Sequence, residues 1–276
     1  MITFRELGNQ GAIGNQMFEY ASLRGIAAKC NQSWKIPRPG NNLVYNLFDF
    51  FKMKSVTEDN FIRNEVYPNV QIKKLVFDSS LFSIKGNFNL NDFLASWKYF
   101  EHIKDLIIQD FEFKDIIIDI PKEPYIFLHV RRTDYLKTIV SQRIPPLSLN
   151  YYIKALEYFP ADIQVRVFSD DLDWCRDNFK EDRFIINSNN DYYEKPLQLK
   201  STREYVQYAH PLKDLQYMVN AVGAIIANST FSWWGAYLIK DKQYPVVCPN
   251  PWFKNIPHNF NDLVLPSWKV IEWKHF

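Results

Sequence analysis

Tyr125-Ile126-Phe127-Leu128-His129-Val130-Arg131-Arg132-Thr133-Asp134 is an apolar run that stops abruptly at two adjacent arginines. A run that is apolar on both faces fits a strand buried inside a parallel sheet, and the charge after it marks where the chain leaves the sheet. Four more short runs follow, at Gln164 to Phe168, Arg183 to Asn187, Gly223 to Ala227 and Tyr244 to Cys248. They alternate with helix-period segments at Leu149 to Phe159, Leu172 to Phe179, Pro211 to Val222 and Phe231 to Ile239. In the first segment Tyr152, Leu156 and Phe159 recur at helical spacing, so one face can pack on a sheet. Strands separated by amphipathic crossovers make a parallel, doubly wound α/β domain. In such a sheet ligands bind outside the carboxyl ends of the strands. Here those ends carry His129 to Asp134, Ser169-Asp170-Asp171 and Asn228-Ser229-Thr230, which makes this edge the candidate site.

The N-terminal half begins in the same style. Ile2 to Leu7 reads as a strand, Gly8 to Gln16 as a turn holding Gly11 and Gly14, and Met17 to Lys29 as a helix. Ala21, Gly25 and Ala28 give that helix a small-residue face for close packing, which predicts a second Rossmann-like unit. Asn31 to Asn89 has weak periodicity and leaves the strand order open. Ser96 to Phe111 turns helical, with Tyr99, Ile103, Leu106 and Ile107 on one face, and the polar stretch Ser188 to Gln207 reads as an excursion at the ligand edge.

With 276 residues, the chain is long enough for one large core or two domains of ~130 residues. Its 33 Lys plus Arg against 31 Asp plus Glu give a net charge of +2. That balance excludes a general polyanion surface and nucleic acid as a partner, so negative charge must be met by a few placed arginines. Cys30, Cys175 and Cys248 are far apart and odd in number, which supplies neither a disulfide framework nor paired metal ligands. Met1 to Gly8 lacks the pattern of a secretory signal, and no run reaches the ~18 apolar residues of a membrane span. The expected compartment is the cytoplasm, with room for loose association with the inner face of the membrane.

Gly8, Gly11 and Gly14 do not make the dinucleotide fingerprint, because Gln10 stands where it needs glycine. They form either a plain turn or a place where Gly14, Asn15 and Gln16 bring backbone amides up to a ligand. Arg131 and Arg132 stand at the ligand edge, where a planar guanidinium binds phosphate oxygens through paired hydrogen bonds. The alternative for either arginine is a structural ion pair with Asp134. His129 alternates in direction with Val130 and lines the same side as Arg131, or else is a hydrogen-bonded core histidine. Asn228 to Ser232 reads as a polar turn opening a helix. Ser229 or Thr230 either caps that helix or joins its free amides and dipole in cradling phosphate. Trp233 and Trp234 read as core. Asp170 and Asp171 either cap the next helix or accept hydrogen bonds from a base or ribose. No cluster has zinc spacing, the adjacent Asp170-Asp171 is not the separated D-x-D pair often used to hold a metal on a diphosphate, and neither a G-x-S-x-G elbow nor a P-loop occurs. A metal-independent site is expected.

Gly14-Asn15-Gln16-Met17-Phe18-Glu19-Tyr20-Ala21, His129 to Asp134, Phe168-Ser169-Asp170-Asp171 and Asn228 to Ala236 together resemble the bacterial α-1,2-fucosyltransferases of glycosyltransferase family 11, in family order and across nearly the whole chain. The resemblance implies a GT-B architecture, α/β with two Rossmann-like domains facing each other across a cleft. It implies transfer of L-fucose from GDP-β-L-fucose, with inversion and without a metal, to the 2-hydroxyl of a galactose in an oligosaccharide or lipid-linked glycan. The implied division is an acceptor-side domain at 1–122, a nucleotide-sugar domain at 123–250 and a C-terminal segment at 251–276 packing back toward the first domain. By position, Arg131 and Arg132 hold the diphosphate, His129 helps seat the nucleotide, Asp214 meets the N1 and N2 donors of guanine, and Ser229, Thr230 and Ser232 complete the phosphate cradle. Asn15 and Gln16 reach toward fucose and acceptor, and Asp134 is the nearest candidate base. Ala12-Ile13 and Glu19 depart from the family's usual residues. The rival readings are a GT-B transferase with another nucleotide sugar and a non-catalytic glycan-binding protein.

Overall fold

Residues 1–7, 11–36, 47–53, 67–70, 76–187, 211–256 and 258–273 are described by a computed structural model. Gly8 and the expected excursion from Ser188 to Gln207 lie outside these residues. The described chain divides into two units, the first running to Asp115 and including Asn261–Leu265, the second holding the remainder.

In the first unit β1 (Ile2–Thr3) leads through α1 (Ile13–Cys30) to β2 (Trp34–Lys35), and β3 (Phe88–Asn89) pairs on the other side of β1. All pairings are parallel, in the order β2-β1-β3. Gly11 turns the chain into α1 with φ +68, and a Cβ there would run into the Asn15 side chain, so only glycine fits. Asn31 ends the helix in the left-handed conformation at φ 50. The helix starts at Ile13 and not at Met17, because the Ala12 carbonyl accepts from both Asn15 and Gln16 N–H groups. Gly14, Asn15 and Gln16 thus form its first turn. Burial of Ile13, Met17, Phe18, Tyr20 and Leu23 on several sides stabilises this start despite the poor helix propensity of Gly14 and Asn15.

Gly25 allows α1 to touch the Tyr99 carbonyl, where a Cβ would overlap the backbone. Ala28 is exposed, so the small-residue face is shorter than its spacing suggests. After α2 (Leu47–Phe50), the segment expected to be helical from Ser96 begins as 3-10 turns at Trp97–Tyr99 and Glu101–Ile103. Only α3 (Lys104–Asp110) is α-helical, with Ile107 buried and Leu106 facing out. The Ser96 hydroxyl accepts from Lys98 N–H at 3.4 Å and favours the tighter turn.

The second unit runs β4 (Tyr125–Val130), α4 (Thr138–Ser141), α5 (Leu149–Leu156), β5 (Gln164–Ser169), α6 (Leu172–Asn178) and β6 (Phe184–Ile186). It continues with α7 (Pro211–Val219), β7 (Gly223–Ile225), α8 (Thr230–Tyr237) and β8 (Val246–Asn250). After α9 (Phe260–Leu263) comes β9 (Lys269–Glu272). Six parallel strands lie in the order β6-β5-β4-β7-β8-β9. Every residue of β4 is buried, as its apolar sequence requires for an interior strand. The sixth strand, β9, has no counterpart in the sequence pattern, because Lys269 and Glu272 are exposed and dilute its apolar signal. Between β8 and β9 the chain supplies buried Asp262 to the first unit, where it accepts from Phe77 N–H and Lys98 Nζ, each at 2.7 Å. Trp233 and Trp234 are fully buried, with Trp233 stacked on Tyr237 at 4.9 Å.

Candidate active site

The order β5-β4-β7 makes three polar strand ends neighbours, so the sequence blocks at 129–134, 169–171 and 228–230 meet at one edge. Asp170 ties the middle block in place. Its Oδ1 accepts from Arg132 N–H at 2.9 Å, and its Oδ2 accepts from Thr133 Oγ at 2.6 Å and Thr133 N–H at 3.2 Å. The same Oδ2 lies 3.2 Å from Arg131 Nε, which also donates to Asp134 Oδ1 at 2.8 Å. Burial favours loss of the Arg131 proton, but Asp134 and Asp170 outweigh it and raise the guanidinium pKa above its ordinary value. Arg132 Nε donates to Asp171 Oδ2 at 2.9 Å, and its guanidinium lies 4.4 Å from the centre of the Trp174 ring. Asp171 also caps α6 by accepting from Trp174 N–H at 3.2 Å. Within the fold, Asp171 caps α6 and pairs with Arg132, while Asp170 holds the loop.

The β7 end is joined to this loop through Tyr135, whose hydroxyl donates to the Asn228 carbonyl at 3.1 Å and whose ring lies 5.7 Å from the Arg131 guanidinium. Asn228 is buried, and its Nδ2 donates to the carbonyls of Pro145 and Trp252 at 3.0 and 3.2 Å. Its Oδ1 has no hydrogen-bond partner among the described residues. Ser229 occupies the N-cap of α8 with extended backbone and makes no side-chain cap, and Thr230 is the first helical residue. Ser232 is fully buried, and its hydroxyl donates to the carbonyls of Ala227 and Ser229 at 3.4 and 3.3 Å, beneath the turn. His129 is buried with Nδ1 unpartnered among the described residues. Burial, with Arg131 beside it, pushes its pKa down to about 3, so the imidazole is neutral at working pH.

Asp214 sits in the first turn of α7, buried, and burial pushes its carboxyl up to about 7. In the first unit Asn15 and Gln16 lie in the first turn of α1; Gln16 is 1% exposed and its Nε2 has no partner among the described residues. Glu19, one turn on, is equally buried. Sequence reasoning missed Tyr135 and Trp174, which hold the two arginines from below and beside. Their signal was position: Trp174 follows the Asp171 cap by three residues and Tyr135 follows Asp134 directly. Among the described residues no group of three or more His, Cys, Asp or Glu side chains is gathered as metal ligands would be.

Two parallel α/β units, with charge concentrated at the strand ends of the second, define a GT-B-type architecture. A solved structure, Se-Met fucosyltransferase NodZ from Bradyrhizobium, shares this fold at TM-score 0.50 and 13% identity, over 85% of this chain and 90% of that one. The sequence profile of glycosyl transferase family 11 matches residues 5–272, and the chain belongs to that family. It is 28% identical to an alpha-1,2-colitosyltransferase of Escherichia coli over 95% of this chain and 97% of the relative. It is 24% identical to galactoside alpha-(1,2)-fucosyltransferase 2 of Bos taurus over 83% of this chain and 67% of the relative. No helix among the described residues is long and apolar enough to cross a membrane.

Proposed function

We propose that the protein transfers L-fucose from GDP-β-L-fucose to the 2-hydroxyl of a galactose-containing glycan, with inversion and without a metal ion. The observation that carries this reading is the pair Arg131 and Arg132, each fixed by carboxylates between the Ser169 and Asn228 strand ends. Carboxylates engaging Nε set the plane of each guanidinium without a ligand, which is the preorganisation that favours charge developing in a transition state. The bond from the fucose anomeric carbon to the β-phosphate oxygen breaks, and the new charge on GDP is met by the arginines and the amides at the start of α8. The acceptor oxygen attacks the opposite face of that carbon and gives up its proton to solvent or to a neighbouring carboxylate. Asp134 is the carboxylate nearest the arginines, but it already accepts from Arg131, so its role is to orient that side chain, with proton uptake secondary. Asp214 serves the guanine N–H donors, and Asn15 and Gln16 serve sugar and acceptor.

A second reading is supported by the colitosyltransferase relative: the α-1,2 linkage is common to these names, whereas the sugar differs. Colitose is fucose without the 3-hydroxyl, so one donor pocket can be built for either. Incubation with GDP-fucose, its 3-deoxy counterpart, GDP-mannose and UDP-galactose, each with galactose-terminated acceptors and with or without chelator, tests both. Fucosylated product linked at the 2-hydroxyl, undiminished by chelator, is expected. Product from the 3-deoxy donor alone selects the second reading, and loss of turnover with chelator removes the metal-free mechanism.

A further inference from the structure

Directly after the arginines, the chain from Leu136 to Arg143 turns outward at the same sheet edge, held by Leu136 N–H to the Arg132 carbonyl at 2.8 Å and Lys137 N–H to the Asp134 carbonyl at 3.2 Å. It exposes Leu136 at 52% and Ile139 at 80%, the largest exposure among the described large apolar residues. Lys137 and Arg143 flank them and are exposed. Lys254 N–H donates to the Arg143 carbonyl at 2.7 Å, which sets the partly exposed turn Phe253-Lys254-Asn255-Ile256 beside this loop. Neither Tyr135 to Leu147 nor Pro251 to His258 contains an acidic residue, although the chain as a whole is nearly neutral at +2. Among the described residues none of the three cations is in an ion pair.

We propose that Leu136 to Arg143 together with Phe253 to Ile256 forms a docking surface for a bilayer containing anionic lipid. Ile139 is far more exposed than any other described large apolar side chain, and its setting with Leu136 among uncompensated cations selects an apolar phase behind a negative surface. Lys137, Arg143 and Lys254 meet the headgroups while Leu136 and Ile139 enter the acyl boundary. Docking in this way brings the arginine loop to the headgroup plane, where a glycan carried on lipid is presented.

The test is co-sedimentation of the full chain with vesicles of phosphatidylcholine alone or with phosphatidylglycerol, at low and high salt. Binding is expected only to the anionic vesicles and weakens with salt. The Lys137→Gln/Arg143→Gln double variant is expected to bind about 25-fold more weakly, at about fivefold per charge. Ile139→Asp is expected to lose at least about tenfold, with unchanged far-ultraviolet circular dichroism and unchanged turnover on a soluble galactoside. Failure of the wild-type chain to bind anionic vesicles, or equal binding by both variants, overturns the proposal. A concentration-dependent dimer that Ile139→Asp abolishes, without vesicle binding, assigns the surface to a second copy and also overturns it. So does a raised acceptor KM in Ile139→Asp, which would place the patch in the acceptor site.

Discussion

The arginine loop of the second unit and the start of α1 in the first are both strand-to-helix regions, yet they are stabilised differently. Around Arg131 and Arg132, three carboxylates and a tyrosine fix the loop and the guanidinium groups through bonds of 2.6 to 3.2 Å. At Ile13 to Gln16 there is no side-chain cap and no acidic residue in the first turn; a glycine turn and apolar packing hold the backbone. The first region is organised by charge before any ligand arrives. The second leaves a polar group, Gln16 Nε2, buried and unmatched among the described residues. Charge that develops abruptly on a leaving group needs donors already in place, whereas a neutral hydroxyl can be met by one unmatched amide.

The largest effect that this contrast predicts is at Arg131. Arg131→Ala removes a preorganised donor and is expected to lower kcat by about 10² to 10³ while the protein stays folded. Near-normal steady-state turnover in the folded variant would break the assignment. Asp170→Asn comes next. Its amide NH2 would face a Thr133 or Arg131 donor, so the loop loses its frame. A fall in kcat of tens of fold is expected, from misplacement of the guanidinium groups. A ligand-binding role would show instead as a raised KM for donor with kcat intact, and this split separates the two.

A smaller, pH-dependent effect belongs to Asp214. Its folded pKa, about 7, lies above the unfolded value of 3.8, so its protonated form contributes stability that is complete below about pH 3.8 and is lost as the pH rises through 7. Asp214→Asn, neutral throughout, should melt near the wild type at pH 4 and above it at pH 8, by a few kcal/mol at about 1.4 per pKa unit. Guanine binding asks for the opposite charge state. Wild-type affinity for GDP, measured by calorimetry, should therefore tighten between pH 6 and 8, and the variant should lack that change. A flat wild-type profile would leave Asp214 without a role at the base.

The two regions were also unequally legible in the sequence. Tyr125 to Val130 is a buried central strand because its own residues are apolar on both faces, and local pattern and tertiary environment agree. The arginines, Asp170 and the Asn228 turn could be placed at one edge because parallel topology alone brings strand ends together. What the aspartates bind was not legible, since Asp170 contacts residues 37 and 38 positions away. In the first unit, Gly25 correctly signalled close packing. The partner was missed: it is the Tyr99 carbonyl in a 3-10 turn, a contact across a long sequence separation. Helix α1 starts four residues before the expected Met17, because tertiary burial overrides the weak helix propensity of Gly14 and Asn15.

Gln16 gives the sharpest form of the contrast, because here stability and activity should separate. A buried amide with one end unmatched contributes little to folding, so Gln16→Met, similar in volume and without the polar end, is expected to change unfolding free energy by less than about 1 kcal/mol, in either direction. If Nε2 is held in reserve for a sugar or acceptor oxygen, the same variant should raise KM or lower kcat by roughly tenfold, the value of one neutral hydrogen bond at about 1.4 kcal/mol. Urea denaturation gives the first quantity and steady-state kinetics the second. A loss of several kcal/mol with activity retained would make Gln16 a structural residue whose partner lies within the fold. The acceptor role would then pass to Asn15, beside it on the same turn.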